Sequence, residues 1–232
     1  MDSVPRPLDV RPLTWDSWFA RPRAPWPVVE HLPSRPGVAR LFGTFAQGAG
    51  SGGRRLLEFA RPASDLRATL RRFVAEVQEH GAALGALSRA GGGLVPDTAW
   101  TAAAFRHLRA LASFDWEVGS LLAAEAVAVS VYEATAAAPG YEAAAPVVAR
   151  LRAEACGHIA FESHLVRDRL GEGALASLVG VAAWVAGLDQ RRGLRDLGTN
   201  PRAIHDHAVA LVLDRASGAG ACLPGCAGTH PA

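Results

Sequence analysis

The chain has 232 residues, of which 50% are hydrophobic and 20% are charged, and its formal net charge is +2. This length allows one well-packed core, and charge spread along the chain gives no indication of a nucleic-acid partner. Three cysteines are too few for a disulfide framework. The first residues form no signal peptide, and the longest apolar run, Leu175 to Leu188, is shorter than the roughly 20 residues of a membrane span. We therefore expect a cytoplasmic protein with no membrane partner.

Residues 1–36 contain eight of the fifteen prolines and three of the six tryptophans, Trp15, Trp18 and Trp26. Proline at this density excludes a long helix, whereas tryptophan gives the segment apolar surface to bury. The segment is therefore expected to wrap the rest of the protein as an extended arm. A disordered tail and a Trp-lined partner site are the alternatives.

Residues 37–60 and 64–90 predict a first antiparallel pair of helices, because apolar residues recur three and four apart in both. Glycines in the first of these segments predict a break near 48–53, since each costs about 1 kcal/mol relative to alanine within a helix. The second helix should end at Gly91. Its predicted buried stripe comprises Leu66, Leu70, Phe73, Val77, His80, Leu84 and Leu87.

A crossover helix is expected from about Thr98, followed by a second antiparallel pair over 114–137 and 142–170. Proline and glycine cluster only at the join of that pair. In an antiparallel pair, residues equidistant from the turn face each other. We therefore expect Glu125, which lies in an apolar stripe, to face His158.

The segments AAEAVAVSVYEA and RAEACGHIAFESHLVRDRL resemble the second half of ferritin-like proteins. The resemblance covers about 37–170. It implies an all-α fold, an antiparallel four-helix bundle built from two pseudo-symmetric hairpins with a long crossover, and a di-iron or di-manganese centre. In that family each hairpin supplies one Glu and one Glu-x-x-His motif. Here Ala155 stands three residues before His158, and the acid, Glu154, stands four before it.

A shift of 78 residues superposes the two hairpins, which indicates a duplication. It places His158 on His80 and Glu154 on Glu76, so we expect the two histidines to face each other across the core. It also places Ala155 on Val77 and Glu125 on Gln47, so of the four carboxylates that the resemblance implies only Glu125 stands in register. The chain therefore departs from the family at the residues that would hold two metal ions.

Two hypotheses about function follow. In the first, His80, His158 and Glu125 bind iron or manganese, as one ion rather than two, while Glu76 and Glu154 ligate or orient the histidines. The resemblance then implies a non-haem oxidoreductase that activates dioxygen or a peroxide. In the second, the bundle is a metal-free interaction or accessory module with a Glu125–His158 hydrogen bond. A Glu four residues before a His is also common on solvated helix faces.

Residues 171–216 predict additional packing helices, and 217–232 a flexible tail. The apolar helix over 174–197 either packs on the bundle or forms the seam of a homodimer. We expect a last helix from Pro201. His107, His205 and His207 are expected to be surface or packing residues. Cys222, Cys226 and His230 are not expected to form a zinc site, because their spacing matches no common zinc site and only three ligands are present.

Overall fold

The computed structural model describes residues 15–51, 53–60, 65–94, 113–166 and 170–216, and within them all regular secondary structure is helical. The prediction of an all-α protein is thus confirmed. The elements are α1 Trp15–Phe19, α2 Pro36–Ser51, α3 Leu56–Phe59, α4 Asp65–Ala90, α5 Phe114–Ala137, a 3-10 turn Glu142–Ala144, α6 Ala145–Val166, α7 Glu172–Asp189, α8 Arg191–Asp196 and α9 Pro201–Ala216. The predicted crossover helix near Thr98, His107 and the Cys-containing tail lie outside the described residues.

The first helical pair is α2 with α4. The segment predicted as one helix over 37–60 is two helices, because α2 ends at Ser51 and α3 begins at Leu56. A Cβ on Gly81 of α4 would lie 2.9 Å from the backbone nitrogen of Gly50 and 3.0 Å from the carbonyl oxygen of Ala46. Glycine therefore lets α2 and α4 approach closely.

The predicted stripe of α4 is buried with one exception. Leu66 is 39% exposed, so its assignment to the core was wrong. It lies in the first turn of α4, one turn before Leu70, where the helix first enters the core.

The second helical pair, α5 with α6, is joined by the turn predicted from Pro139 and Gly140. Gly140 has a φ of +86°, a left-handed conformation that glycine adopts without strain. The apolar residues of α5 extend around most of its circumference, and accordingly the helix is largely buried. α5 is thus a central helix of the molecule.

The two pairs meet where α4 faces α6. The rings of Phe73 and Phe161 lie 5.5 Å apart, and about two turns further along α4 the ring of His80 stacks on that of His158. Among the C-terminal helices, α9 packs against α7 and α5, and α8 packs against α2.

The N-terminal arm, residues 15–35, begins with α1 and continues without regular secondary structure. Its anchor is Trp18, whose ring lies against Gly157 of α6 so closely that a Cβ there would overlap it. The arm therefore lies over the junction of α4 and α6.

Among the described residues, two helices are long and apolar enough to cross a membrane by length and composition. The apolar window of α5 is 72% buried within the protein, as is typical of a core helix. That of α7 is only 28% buried, and its outer face is apolar.

Candidate functional site

The five residues predicted for the site come together in the core. Glu76 and His80 lie on α4, Glu154 and His158 on α6, and Glu125 on α5. All but Glu125 are buried, and the side chain of Glu125 is only 13% exposed. The rings of His80 and His158 are stacked with centroids 4.9 Å apart, which confirms the prediction that they face each other.

His158 lies at the centre of the cluster. Its Nδ1 is 3.1 Å from Oε1 of Glu125, as predicted from the antiparallel pairing. Its Nε2 is 3.5 Å from Oε1 of Glu76 and has no hydrogen-bond partner among the described residues. Burial by itself lowers the pKa of His158, but the hydrogen bond with Glu125, the close contact with Glu76 and the negative charges of both carboxylates outweigh burial and raise it to about 10. The metal-free cluster therefore holds His158 as a cation.

Glu125 titrates with this histidine. Burial raises its pKa, but the hydrogen bond with His158 and the charges of His158 and His80 outweigh that effect and lower it. Burial, and after it the negative charge of Glu125, raises the pKa of Tyr132 well above its usual value. Glu125 is thus the anion of an ion pair with His158, beside the neutral phenol of Tyr132.

His80 pairs with the other hairpin. Its Nε2 lies 2.8 Å from Oε2 of Glu154. Glu154 also accepts a hydrogen bond at Oε1 from Nε of Arg150, at 3.0 Å. Burial raises the pKa of Glu154, but its contact with His80 and then its contact with Arg150 outweigh burial and lower it to about 2. Glu154 is therefore a carboxylate at neutral pH.

Glu76 and Glu154 each contact a histidine of the facing helix and not the histidine four residues later on their own helix. Glu76 and Glu154 lie four residues before His80 and His158, respectively. Glu154 nevertheless hydrogen-bonds with His80 of α4, and Glu76 approaches His158 of α6. Residues four apart point in one direction, so both members of each pair reach across to the facing helix. The pattern thus reflects a contact between hairpins.

Two cations from the arm were missed by the sequence reasoning. Nη2 of Arg21 lies 3.2 Å from Oε1 of Glu76, and Nη2 of Arg23 donates a short hydrogen bond to Oε2 of the same carboxylate. Because Arg21 and Arg23 lie in a proline-rich segment without apolar periodicity, the sequence does not indicate that they lie against α4. The available signal was their location between Trp18 and Trp26, both of which contact the site.

Aromatic rings close the cluster. The rings of Trp18, Phe19 and Phe73 lie 4.9 to 6.2 Å from the His158 ring, and Trp26 meets the edge of His80 at 5.9 Å. These rings exclude water and lower the local dielectric constant, which strengthens the ion pairs inside. The cluster is therefore a dry, charged site within an apolar core.

The donor set fits one metal ion. One ligand atom each from Glu76, His80 and His158 lie within 4.8 Å of one another. Two imidazoles with one carboxylate are the donor set of many mononuclear non-haem iron sites. Each histidine has a ring nitrogen on a second carboxylate, as is usual for metal-bound histidines, which leaves the other nitrogen as a ligand. The geometry thus groups Glu76, and not Glu125, with the histidines.

The donor set does not fit two ions. Val77 and Ala155, at the positions where the ferritin-like resemblance implies carboxylates, are buried apolar residues. Two ions in a dry core need several anionic oxygen ligands, which these positions lack.

Other polar residues are distributed as follows. His205 and His207 have side chains that are 43% and 30% exposed, away from the cluster, as expected. Cys156 is a buried free thiol. Glu117 and Glu162 are fully buried acids that the sequence reasoning did not single out. Glu162 lies four residues after His158, so helical spacing could have indicated its burial.

No protein-family model, curated protein or solved structure matches the chain. The functional argument therefore depends on the residues of the cluster.

Proposed function

We propose that the chain is a ferritin-like helical protein that binds one iron or manganese ion with Glu76, His80 and His158 and acts as a non-haem oxidoreductase. The observation that carries the proposal is the meeting of these three buried ligands from two helical pairs, with Nε2 of His158 lacking a hydrogen-bond partner among the described residues. A buried donor set of this kind is rare without a function.

The surroundings of Glu76, His80 and His158 support the binding of a single ion. When bound, such an ion supplies Lewis acidity and, in the case of iron, one-electron chemistry toward dioxygen or a peroxide. Glu125 and Glu154 hold one nitrogen of each histidine and so fix the ring orientations. Trp18 and Phe19 keep water from the His158 ring. The protein thereby orients the ligands and keeps the site dry.

The test is titration of manganous ion into chelator-treated, full-length protein, followed by calorimetry. We expect one saturable site. His158→Ala and Glu76→Gln should each abolish binding because each removes a ligand. Glu125→Gln should weaken binding by about 10- to 100-fold, because it alters only the partner of a ligand.

His205→Ala is the matched control, because that histidine is exposed and distant from the cluster. It should bind manganese as the unmodified protein does. Equal loss in the His205 and His158 variants would indicate non-specific binding and would contradict the proposal.

A second candidate function is a metal-free accessory or interaction module. The observation that favours it is the arm, because Arg21 and Arg23 already neutralise Glu76. The two candidates differ in what these arginines do. If a metal binds, Arg21→Gln with Arg23→Gln should tighten manganese binding by releasing Glu76. If the module is metal-free, the double variant should only lower stability, and no binding should appear.

A further inference from the structure

An open cleft lies between the arm and the paired helices α4 and α6. Its volume is about 540 Å³, within the size range of small-molecule sites. The arm and the two helices contribute its polar lining, which includes Arg21, Arg23, Trp26, Arg72, Glu79 and Arg150. The cleft lies beside the cluster, because Arg21 and Arg23 also contact Glu76.

The charge of the lining favours an anion. Four arginines line the cleft, and the carboxylates that contact them are Glu76, Glu79 and Glu154, so the arginines outnumber these acids by one. Nη1 of Arg23 lies 3.3 Å from Glu79. Convergent guanidinium groups in a recess with apolar walls concentrate positive potential and bind carboxylates through paired hydrogen bonds.

Two buried donors in the lining residues point to the same kind of ligand. Nε of Arg23 and Nε1 of Trp26 have no hydrogen-bond partner within the described part of the chain. Both groups can only donate, so what they lack is an acceptor. An ionised carboxylate offers acceptors alone.

The remaining lining is apolar, with Phe19, Pro25 and Ala75 beside the Trp26 ring. The guanidinium of Arg150 lies 3.9 Å from the centroid of that ring and holds it in place. We propose that this cleft binds a small organic carboxylate with an apolar, aromatic-sized body. The proposal does not depend on the metal.

The test is titration of benzoate into chelator-treated, full-length protein by calorimetry, with benzamide as the neutral isostere and inorganic phosphate as the inorganic anion. Saturable benzoate binding at one site is expected, with benzamide weaker by about tenfold or more because a charge-assisted hydrogen bond is lost. Benzamide binding as tight as benzoate, phosphate binding tighter than benzoate, or no saturation would each overturn the proposal.

Three variants localise the binding. Arg72→Gln should weaken benzoate binding by about tenfold, and Glu79→Gln should tighten it because an acid in the lining is neutralised. Arg71→Gln is the matched control, since Arg71 is exposed on the same helix but does not line the cleft. An equal loss in the Arg71 and Arg72 variants would show only general attraction to a basic surface and would overturn the proposal.

Discussion

His158 is the residue on which the contacts of the core converge. It joins α6 to α5 through Glu125 and to α4 through the stacked ring of His80. Three aromatic rings surround it. Its removal therefore affects charge balance and packing together, whereas its partners can be altered one at a time.

In metal-free protein, His158→Ala should lower the free energy of unfolding by about 1–3 kcal/mol, because Glu125 and Glu76 lose a partner while remaining buried. Glu125→Gln should destabilise less than His158→Ala, since the amide oxygen can still accept a hydrogen bond from Nδ1 of His158 and Glu76 remains as an anion beside the ring. Urea denaturation followed by circular dichroism measures both values. Equal destabilisation by the two substitutions would show that the carboxylate charge, and not the hydrogen bond, is what His158 requires.

Glu154 gives a pH dependence. Its pKa in the folded protein is about 2, below the usual 4.5, so the folded state favours its ionised form. That stabilisation is fully present above about pH 4.5 and is lost as the pH falls through 2. The stability difference between metal-free wild type and Glu154→Gln should therefore be on the order of 1–3 kcal/mol at pH 6 and should vanish near pH 2.

The half-exposed Glu79 is the control for this measurement. The stability difference between wild type and Glu79→Gln should be small and should change little over the same range. A Glu154→Gln difference that persists unchanged at pH 2 would contradict the assignment of Glu154 as the ionised partner of His80.

How much of the site the sequence could predict differs by residue. Glu125 and His158 could be paired from the turn position alone, because antiparallel geometry fixes which residues face each other. The pairing of Glu154 with His80 could not, since it depends on how closely α4 and α6 approach. Arg21 and Arg23 could not be placed either, because a segment without periodicity carries no information about which helix it lies against.

At the scale of elements, Gly157 determines how the arm docks. Trp18 lies directly on this glycine, and any side chain there would occupy the position of the indole. The arm therefore depends on a missing Cβ in α6, and the positions of Arg21 and Arg23 depend on the arm.

Gly157→Ala should displace the arm. Although alanine favours a helix by about 1 kcal/mol, the overlap with Trp18 should outweigh that gain and lower stability by about 1–3 kcal/mol. Hydrogen exchange over residues 15–26 should rise. Gly48→Ala, in α2 with nothing within 4 Å of the added Cβ, is the control and should stabilise by about 0.5–1 kcal/mol. Unchanged exchange in the arm of the Gly157 variant would contradict this docking.

The elements themselves were largely predictable, because apolar periodicity and clusters of proline and glycine mark the helices and the turn between α5 and α6. The end of α2 near Ser51 followed from its glycines. The burial of Leu66 was mispredicted because periodicity shows which side of α4 is apolar but not where along its length the core begins.

For the whole molecule, the meeting of two helical pairs explains how five polar side chains come together in the core. The α2/α4 and α5/α6 pairs meet along α4 and α6, and the equivalent positions of the two halves, His80 and His158, face each other there. The helical content and the two pairs followed from the sequence. Whether the core holds a metal ion did not follow from the sequence, because a metal ion and the arm cations Arg21 and Arg23 would compete for the carboxylate of Glu76.

The most direct test of the central claim is the metal-to-protein ratio of wild-type chain after anaerobic loading with ferrous iron and removal of unbound metal. The ratio should be close to one, because Glu76, His80 and His158 provide ligands for one ion while Val77 and Ala155 provide none for a second. A ratio of two would contradict the single-ion site. A ratio of zero would contradict metal binding altogether and would favour the accessory module.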